Sequence, residues 1–578
     1  MNNETVSKVL TELADVLELS GESPFRVRAF RNAARAIEGL GEPVAPRLKD
    51  GTLDEVRGIG EGVMRRLKEL ATTGKLVELD EAKAKLPPGL MDLMNLPGIG
   101  IKTAQQVWKE RGITNVDALE AAAKEGKLRD LPRFGQKREE KLIAAIAAYR
   151  KRAAAPKRWP MAEALDLAEA ICTRMRAVPN VMEARYAGSL RRRRDTVGDL
   201  DVLVAADAAH AVPIMDAFAA MPEVTEVLAK GDTKTSVILE GGIQCDLRVV
   251  PKESYGAALQ YFTGSKEHNV AMRTIAVKKK LKVSEYGVFD AKGARIAGET
   301  EEDVYEAIGL VWMAPELREN RGEIDASLEG EVPPLVELGH LIGDLHMHTT
   351  ESDGRSTLED MVEAARAAGR KYIAITEHSA SLTIAKGLTK ERLRAHVARI
   401  RELDEKMDGA IRVLAGLEAD ILADGTLDLA DELAELDWVV GSVHSHLGMP
   451  RDDMTKRVVK AIESGLIDVV GHPTGRMLGH REPSEIDMDA VLEALERAGV
   501  AIELNASPLR LDANETTLRM ARDLGVPVCI DSDAHSTKEL DFLRYGIGIA
   551  RRGWLAPEHV LTTRSADELI EWRDARRS

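Results

Sequence analysis

Eleven of the thirteen histidines lie after residue 339, and most of them close short apolar runs. The runs YIAIT (372–376), WVVGSVH (438–444), IDVVGHP (467–473), VAIELN (500–505) and VPVCIDSD (526–533) have the length and β-branched content of strands, and they alternate with helix-like segments. Donors spread from residue 346 to residue 535 can meet only where parallel strands converge at their C-terminal ends, as in a barrel of βα units. His346 and His348 in DLHMHTTESDG are two apart, so they share a face on a strand, with Asp353 in the loop that follows. His378 ends AITEH, Glu418 lies in GLEAD, His444 in GSVHSH, His472 in VGHP, and Asp533 with His535 in DSDAH. Nine imidazole and carboxylate donors without thiolate exceed what one ion takes, and predict two or three ions of manganese, zinc or iron. His340, His396, His480 and His559 lack a strand-end context and stay outside this set; His446 is left unassigned.

At 578 residues the chain is too long for one core and predicts three to five domains. The stretch YRKRAAAPKRWP (149–160) reads as a linker, and the acidic, Pro333–Pro334-containing stretch at 320–340 as a second boundary. The net charge of -16 is the sum of +6 over 1–158, -5 over 159–320 and -17 over 321–578. The basic excess therefore sits in the N-terminal part, where a phosphate backbone would be held. The isolated acidic C-terminal part is expected to bind nucleic acid poorly. Cys172, Cys245 and Cys529 are far apart and form no CxxC pair, which predicts reduced thiols and a cytoplasmic protein. The start MNNETVSKVL is not a signal peptide, and no run of about 18 apolar residues predicts a membrane span.

Residues 1–150 read as short amphipathic helices, such as 6–19 and 142–149. VRGIGEGVMRRL (56–67), LPGIGIKTAQQV (96–107) and LPRFGQKREEKL (131–142) each place a glycine turn before a helix. Gly58, Gly60, Gly98 and Gly100 let the chain turn tightly and leave helix N–H groups outward, where they can hold a phosphate; Lys102 adds charge. Such contacts touch only the nucleic-acid backbone.

YAGSLRRRRDTVGDLDVLV (186–204) joins a Gly-Ser turn, four arginines and a strand that carries Asp199 and Asp201 on one face. Asp246 in IQCDLRVVP comes from another β-like run and is expected to complete the cluster from a neighbouring strand. Three carboxylates suit two magnesium ions in phosphoryl transfer. Gly188 and Ser189 offer an N–H and a hydroxyl to a triphosphate, Arg192 adds positive charge, and Gly198 belongs with this nucleotide-binding set.

On these motifs and on YFTGSKEHNVAMR (261–273), residues 1–318 resemble a family X DNA polymerase, similar in layout to DNA polymerase beta. The resemblance implies catalytic Asp199, Asp201 and Asp246, with Tyr261, Phe262 and Gly264 along the nucleotide sugar, Asn269 at the base edge and Arg273 on the template side. It selects template-directed synthesis over simpler nucleotidyltransferases. One departure stands out: Arg66 falls where relatives that remove a 5′-deoxyribose phosphate carry a Schiff-base lysine, and a guanidinium cannot do that chemistry. Lys68 points elsewhere on the helix, so lyase activity is expected to be weak or absent. Residues 340–575 resemble the polymerase and histidinol phosphatase (PHP) domain, a distorted seven-fold βα barrel with up to three metal ions.

The implied layout is an N-terminal helical domain (1–90) and a fingers-like domain (91–158), both with helix-hairpin-helix elements. A palm (159–255), a thumb (256–318), a linker (319–340) and the PHP barrel (341–578) follow. The order is that of the bacterial and archaeal members of family X, and implies gap filling from the first half and 3′–5′ exonuclease, 3′-end processing and abasic-site cleavage from the second. Implied partners are gapped, primer-template and single-stranded DNA, dNTPs and other base-excision-repair proteins, with Mg2+ at the palm and Mn2+ or Zn2+ at the barrel. Three other readings are a small-molecule phosphoesterase, a structural metal domain, and a scaffold for DNA ends.

Overall fold

The computed structural model describes residues 3–38, 44–56, 58–73, 75–96, 99–132, 134–154 and 157–577. The chain forms two compact units, Met1–Pro156 and Lys157–Ser578.

The described part of the first unit is helical. In the helix Asn3–Ser20 the apolar residues recur at helical spacing, and Val6, Leu10, Leu13 and Leu17 are all buried. Each glycine turn opens a helix. The carbonyl of Gly60 accepts the N–H groups of Val63 and Met64, that of Gly100 the N–H of Ala104, and that of Gly135 those of Arg138 and Glu139. Gly58 adopts φ +104°, a backbone that only glycine takes without strain. The expected linker starts later than 149. The helix Gln136–Ala154 runs into that stretch as far as Ala154, and Arg150 pairs with Asp117 and Glu120.

The second unit begins with a palm. Strands β1 (Glu183–Tyr186), β2 (Asp199–Ala205), β3 (Val224–Lys230), β4 (Lys234–Leu239) and β5 (Gln244–Val250) form a sheet in the order β1-β2-β5-β4-β3. β2 and β5 run parallel with Asp201 directly opposite Asp246. The thumb follows, with helices α1 (Tyr255–Thr263) and α2 (Lys266–Lys278); the Ser265 hydroxyl caps α2 by accepting the N–H of His268.

Residues 319–340 are not a free linker. They contain helix α3 (Glu323–Glu329), and Glu323 is fully buried, 2.6 Å from Nδ1 of His268 on α2. The second nitrogen of His268 meets the Tyr305 hydroxyl at 2.9 Å, so thumb and α3 are fastened by a buried polar chain.

Seven parallel strands then follow in sequence order: β6 (Gly343–Asp344), β7 (Tyr372–Ile375), β8 (Arg412–Asp420), β9 (Trp438–Ser442), β10 (Val469–Val470), β11 (Ala501–Asn505) and β12 (Val528–Asp531). A bridge between Met347 and Ala534, just past β6 and β12, nearly closes the ring. Alternate strand residues, among them Tyr372, Leu414, Trp438 and Cys529, cluster with Leu569 of the C-terminal helix. Their neighbours Ile373, Ile375 and Val413 pack instead with helix residues such as Met361. Helices α4 (Glu515–Leu524) and α5 (Leu543–Arg552) precede and follow β12. Palm and barrel share one apolar cluster, to which Leu165 and Val202 contribute from the palm and Ile547 and Leu555 from the barrel. All three cysteines are buried free thiols. Among the described residues no helix is long and apolar enough to cross a membrane.

Candidate metal centres

The palm brings its three acids together at the start of β2 and β5. Leu200 and Val202 point into the core, which leaves Asp199 and Asp201 on the opposite face, and the register places Asp246 beside Asp201. Burial raises the Asp201 carboxyl to about 6, and the charges of Asp199 and Asp246 push the same way. Asp246 stays below the ordinary carboxylate range despite burial, because Lys234 lies 2.5 Å from one oxygen and the Gln244 amide donates to the other at 3.0 Å. Three converging carboxylates with one ammonium among them form a donor set short of positive charge, which fits divalent cations.

Gly188 abuts this cluster. It has φ +64°, and a Cβ there would collide with the Asp201 carboxylate. The Gly-Ser segment, with Ser189, is the first turn of a short helix Gly188–Arg191 that starts against the acids, and Gly198 immediately precedes β2. The arginine run behaves differently from expectation. Arg192 donates from Nε to Glu319 at 3.0 Å and from one Nη to the Thr263 carbonyl at 2.7 Å, so part of its guanidinium is engaged by protein acceptors. Arg191 binds Glu301 at 2.7 Å and Arg194 lies 3.7 Å from Glu515 of the barrel. A run of four adjacent cations reads as a phosphate patch in a sequence; here much of it joins palm to thumb and barrel.

In the thumb, Tyr261 and Phe262 meet edge to face at 5.2 Å on α1, and Phe262 lies under Arg248. Tyr261 and Arg273 line one cavity of about 330 Å³ together with Val277, Leu281 and Lys282. Gly264 leaves no room for a Cβ beside Asn269. The Asn269 amide donates to the carbonyls of Tyr261 (2.7 Å) and Gly264 (3.3 Å) and accepts from Gln260 (2.9 Å), so it braces this segment in the structure. In the first unit, Lys102 is exposed at the start of its helix; Gly98 lies outside the described residues. Arg66 is ion-paired with Glu78, donates to the Gly62 carbonyl at 2.6 Å and lies over Phe30.

The barrel gathers all nine sequence-assigned donors at the C-terminal ends of its strands. Glu418, fully buried on β8, is the hub. One of its oxygens lies 2.9 Å from His472, 3.2 Å from His444 and 3.5 Å from His346, and the other 2.7 Å from His378 and 3.7 Å from His348. Asp353 stands 3.4 Å from both His378 and His535, and Asp533 is 3.3 Å from His348. Three overlapping groups have ligand atoms close enough to share an ion: His348, Asp353, His378 and His535; His346, His348 and Glu418; and His378, Glu418 and His444.

Donors around an ion with bonds of about 2.0–2.2 Å lie roughly 3–3.5 Å apart, and the separations here, from 2.7 to 3.7 Å, bracket that spacing. Buried nitrogens of His346, His348 and His444 face these carboxylates without making a hydrogen bond, another mark of a ligand shell. Electrostatics divide the set. Burial lowers His348 to about 4, helped by the charges of His378 and His535, whereas Glu418 and Asp353 overcome burial and hold His378 at about 10.

Several supporting residues escaped sequence reading. Glu503 accepts from His346 Nδ1 at 2.6 Å and also from the His472 N–H, turning Nε2 of His346 toward Glu418. Asp420 flanks His444 at 3.4 Å. Glu377 accepts from Thr349 and Ser352 in the loop that carries Asp353, and lies 3.4 Å from His396, which is buried although it has no strand-end position. A carboxylate inside an apolar strand, as in VAIELN, is the signal that would have found Glu503.

Fold and sites define a polymerase-type nucleotidyltransferase joined to a metal-binding phosphoesterase barrel. Sequence models of four families match: a helix-hairpin-helix domain over 1–76, a SAM-like helix-hairpin-helix tandem over 90–148, the DNA polymerase beta thumb over 258–319 and the PHP domain over 344–507. The "DNA polymerase/3′-5′ exonuclease PolX" of Bacillus subtilis (strain 168) is 38% identical over 98% of this chain and 99% of its own length. Probable phosphatases of Thermoanaerobacter sp. (strain X514) and Shewanella sediminis (strain HAW-EB3) are 28% and 31% identical over 39% and 40% of this chain, and 91% and 94% of their own lengths. The chain belongs to the family X DNA polymerases that carry a C-terminal PHP domain.

Proposed function

We propose that this chain is a cytoplasmic DNA repair polymerase that fills short gaps at the Asp199, Asp201 and Asp246 site, and that its barrel trims 3′ ends and cleaves at abasic sites. What carries the reading is that one compact unit holds a polymerase palm and thumb together with a barrel site where seven donors form three ion-sized groups and His472 and Asp533 border them. Bound magnesium would supply charge for nucleotidyl transfer at the palm, and two or three manganese or zinc ions would activate water and clamp a phosphodiester at the barrel.

The chain's own residues do the rest. The backbone of Gly188 and Ser189, lying against Asp201, meets the triphosphate of a dNTP. Tyr261, Phe262 and Gly264 border the sugar, Asn269 reaches the base edge once freed from its backbone partners, and Arg273 faces the template. Gly58, Gly60, Gly98, Gly100 and Lys102 hold the DNA backbone. In the barrel, Glu503, Asp420 and Glu377 orient the imidazoles and the Asp353 loop.

The likeness of the barrel to probable phosphatases favours one rival, a small-molecule phosphoesterase. The test is a labelled single-stranded primer incubated with the full chain and manganese. Shortening from the 3′ end supports the nuclease; an intact primer alongside hydrolysis of a phosphomonoester supports the rival.

A further inference from the structure

The loop that follows His472 is locked onto the loop after β11. Thr474 donates to Asp512 through its N–H at 3.0 Å and its hydroxyl at 2.9 Å. Arg476 donates from Nε to the Arg510 carbonyl at 2.9 Å and from one Nη to the Leu511 carbonyl. The N–H groups of Arg510 and Leu511 donate to the Ser507 carbonyl at 2.8 and 2.9 Å, and both carbonyls are gripped by one planar guanidinium, which fixes direction as well as distance. Arg510 in turn places its Nε 3.3 Å from Asp533, one of the barrel donors. Its guanidinium makes no hydrogen bond to any other described residue, so donors remain for an incoming anion.

The other Nη of Arg476 leaves the barrel. It donates to Asp195 at 3.2 Å, and Asp195 belongs to the palm, four residues before Asp199. The side chains of Arg476 and Asp195 are 11% and 27% exposed, too enclosed for the pair to count as a screened surface contact. Asp195 is itself fixed, because its carbonyl accepts the N–H of Met161 at 2.9 Å.

We infer that Asp195 is a positioning residue for the barrel site: through Arg476 it holds the 510–511 backbone and so keeps the Arg510 guanidinium beside Asp533, where it meets a phosphate of the DNA strand being trimmed. The inference rests on the reading of the barrel as a nuclease. It gives palm docking a role that charge alone does not: a barrel cut free of the palm loses the support of its phosphate-binding arginine.

The experiment uses the full chain as wild type, Asp195→Ala, Asp195→Glu and Arg476→Lys. It measures KM and kcat for degradation of a single-stranded oligonucleotide, Mn2+ affinity by calorimetric titration, and nucleotide incorporation on gapped DNA. Asp195→Ala is expected to raise KM about fivefold to tenfold, the size of coupling through an intermediary, with kcat and incorporation nearly unchanged. Mn2+ should bind as tightly or more tightly, since a displaced Arg510 no longer competes with a cation at Asp533. Asp195→Glu should restore KM. Arg476→Lys, which keeps the charge and loses the fork, should behave as Asp195→Ala does and stands in for it if that variant does not fold. Weaker Mn2+ binding would mean general loosening of the His472 loop and would overturn the inference, as would an unchanged KM, a failure of Glu to rescue, or loss of incorporation. A wild type that degrades no DNA would sink the nuclease reading itself, a separate result.

Discussion

The palm and barrel sites are built on opposite electrostatic plans. In the palm, three carboxylates converge with one lysine among them and Asp201 is driven up to about 6, so the cluster lacks positive charge until cations arrive. In the barrel, every carboxylate donor touches at least one imidazole, and the set is held apart by second residues such as Glu503 behind His346. An all-oxygen donor set suits magnesium, and a mixed imidazole and carboxylate set suits manganese or zinc. One compact unit thus carries two donor sets of different chemistry, whose sensitivities to metal should differ.

Glu418→Ala should have the largest effect. It removes a donor shared by two of the three groups, and degradation should fall about a thousandfold or more while incorporation persists. Retention of degradation above a tenth of wild type would contradict the hub. Gly188→Ala tests the palm in the same way. The new methyl meets the Asp201 carboxylate on a backbone already at φ +64°, and incorporation should drop about a hundredfold with degradation intact. Normal incorporation by this variant would show that the close approach is dispensable.

Acid should loosen the frame that joins the two sites before either site is mutated. Burial opposes it, but Arg318 and Arg191 hold Glu301 at about 2, and Arg552 does the same for Glu515. Both values lie below the ordinary 4.5. Their stabilisation is therefore complete above about 4.5 and is lost as pH falls toward about 2. Calorimetry of the full chain should show Tm falling across that window, with a shallower fall in Glu515→Gln; a flat Tm would refute the assignment. The smallest expected signal is in the first unit. Arg66 is bound to Glu78 and cannot form a Schiff base, so borohydride should trap little of the chain on an abasic 5′ end. Efficient trapping would overturn this.

The barrel was legible because its donors end strands, and strand ends carry their own pattern of apolar run followed by His, Asp or Glu. Asp199 and Asp201 were legible through two-residue alternation, and Asp246 as a partner from a neighbouring strand, which the register confirms. The arginine run at 191–194 was not: a sequence shows its charge, whereas Glu301, Glu319 and Glu515, which absorb it, come from over a hundred residues away. What the 319–340 stretch packs on was hidden for a related reason. Glu323 looks like surface acid, and only the fold reveals His268 behind it. His396 and Glu503 were hidden alike, since a supporting residue has no motif of its own apart from a charge in an apolar setting.

The central claim is that polymerisation and degradation run at separate sites. Primer extension on gapped DNA and shortening of single-stranded DNA should be measured on one preparation each of wild type, Asp199→Ala and His346→Ala, with magnesium and with manganese. Asp199→Ala should stop incorporation and spare shortening, and His346→Ala should do the reverse. If either change abolished both activities in a chain that still unfolds at the wild-type Tm, the two-site account would be wrong.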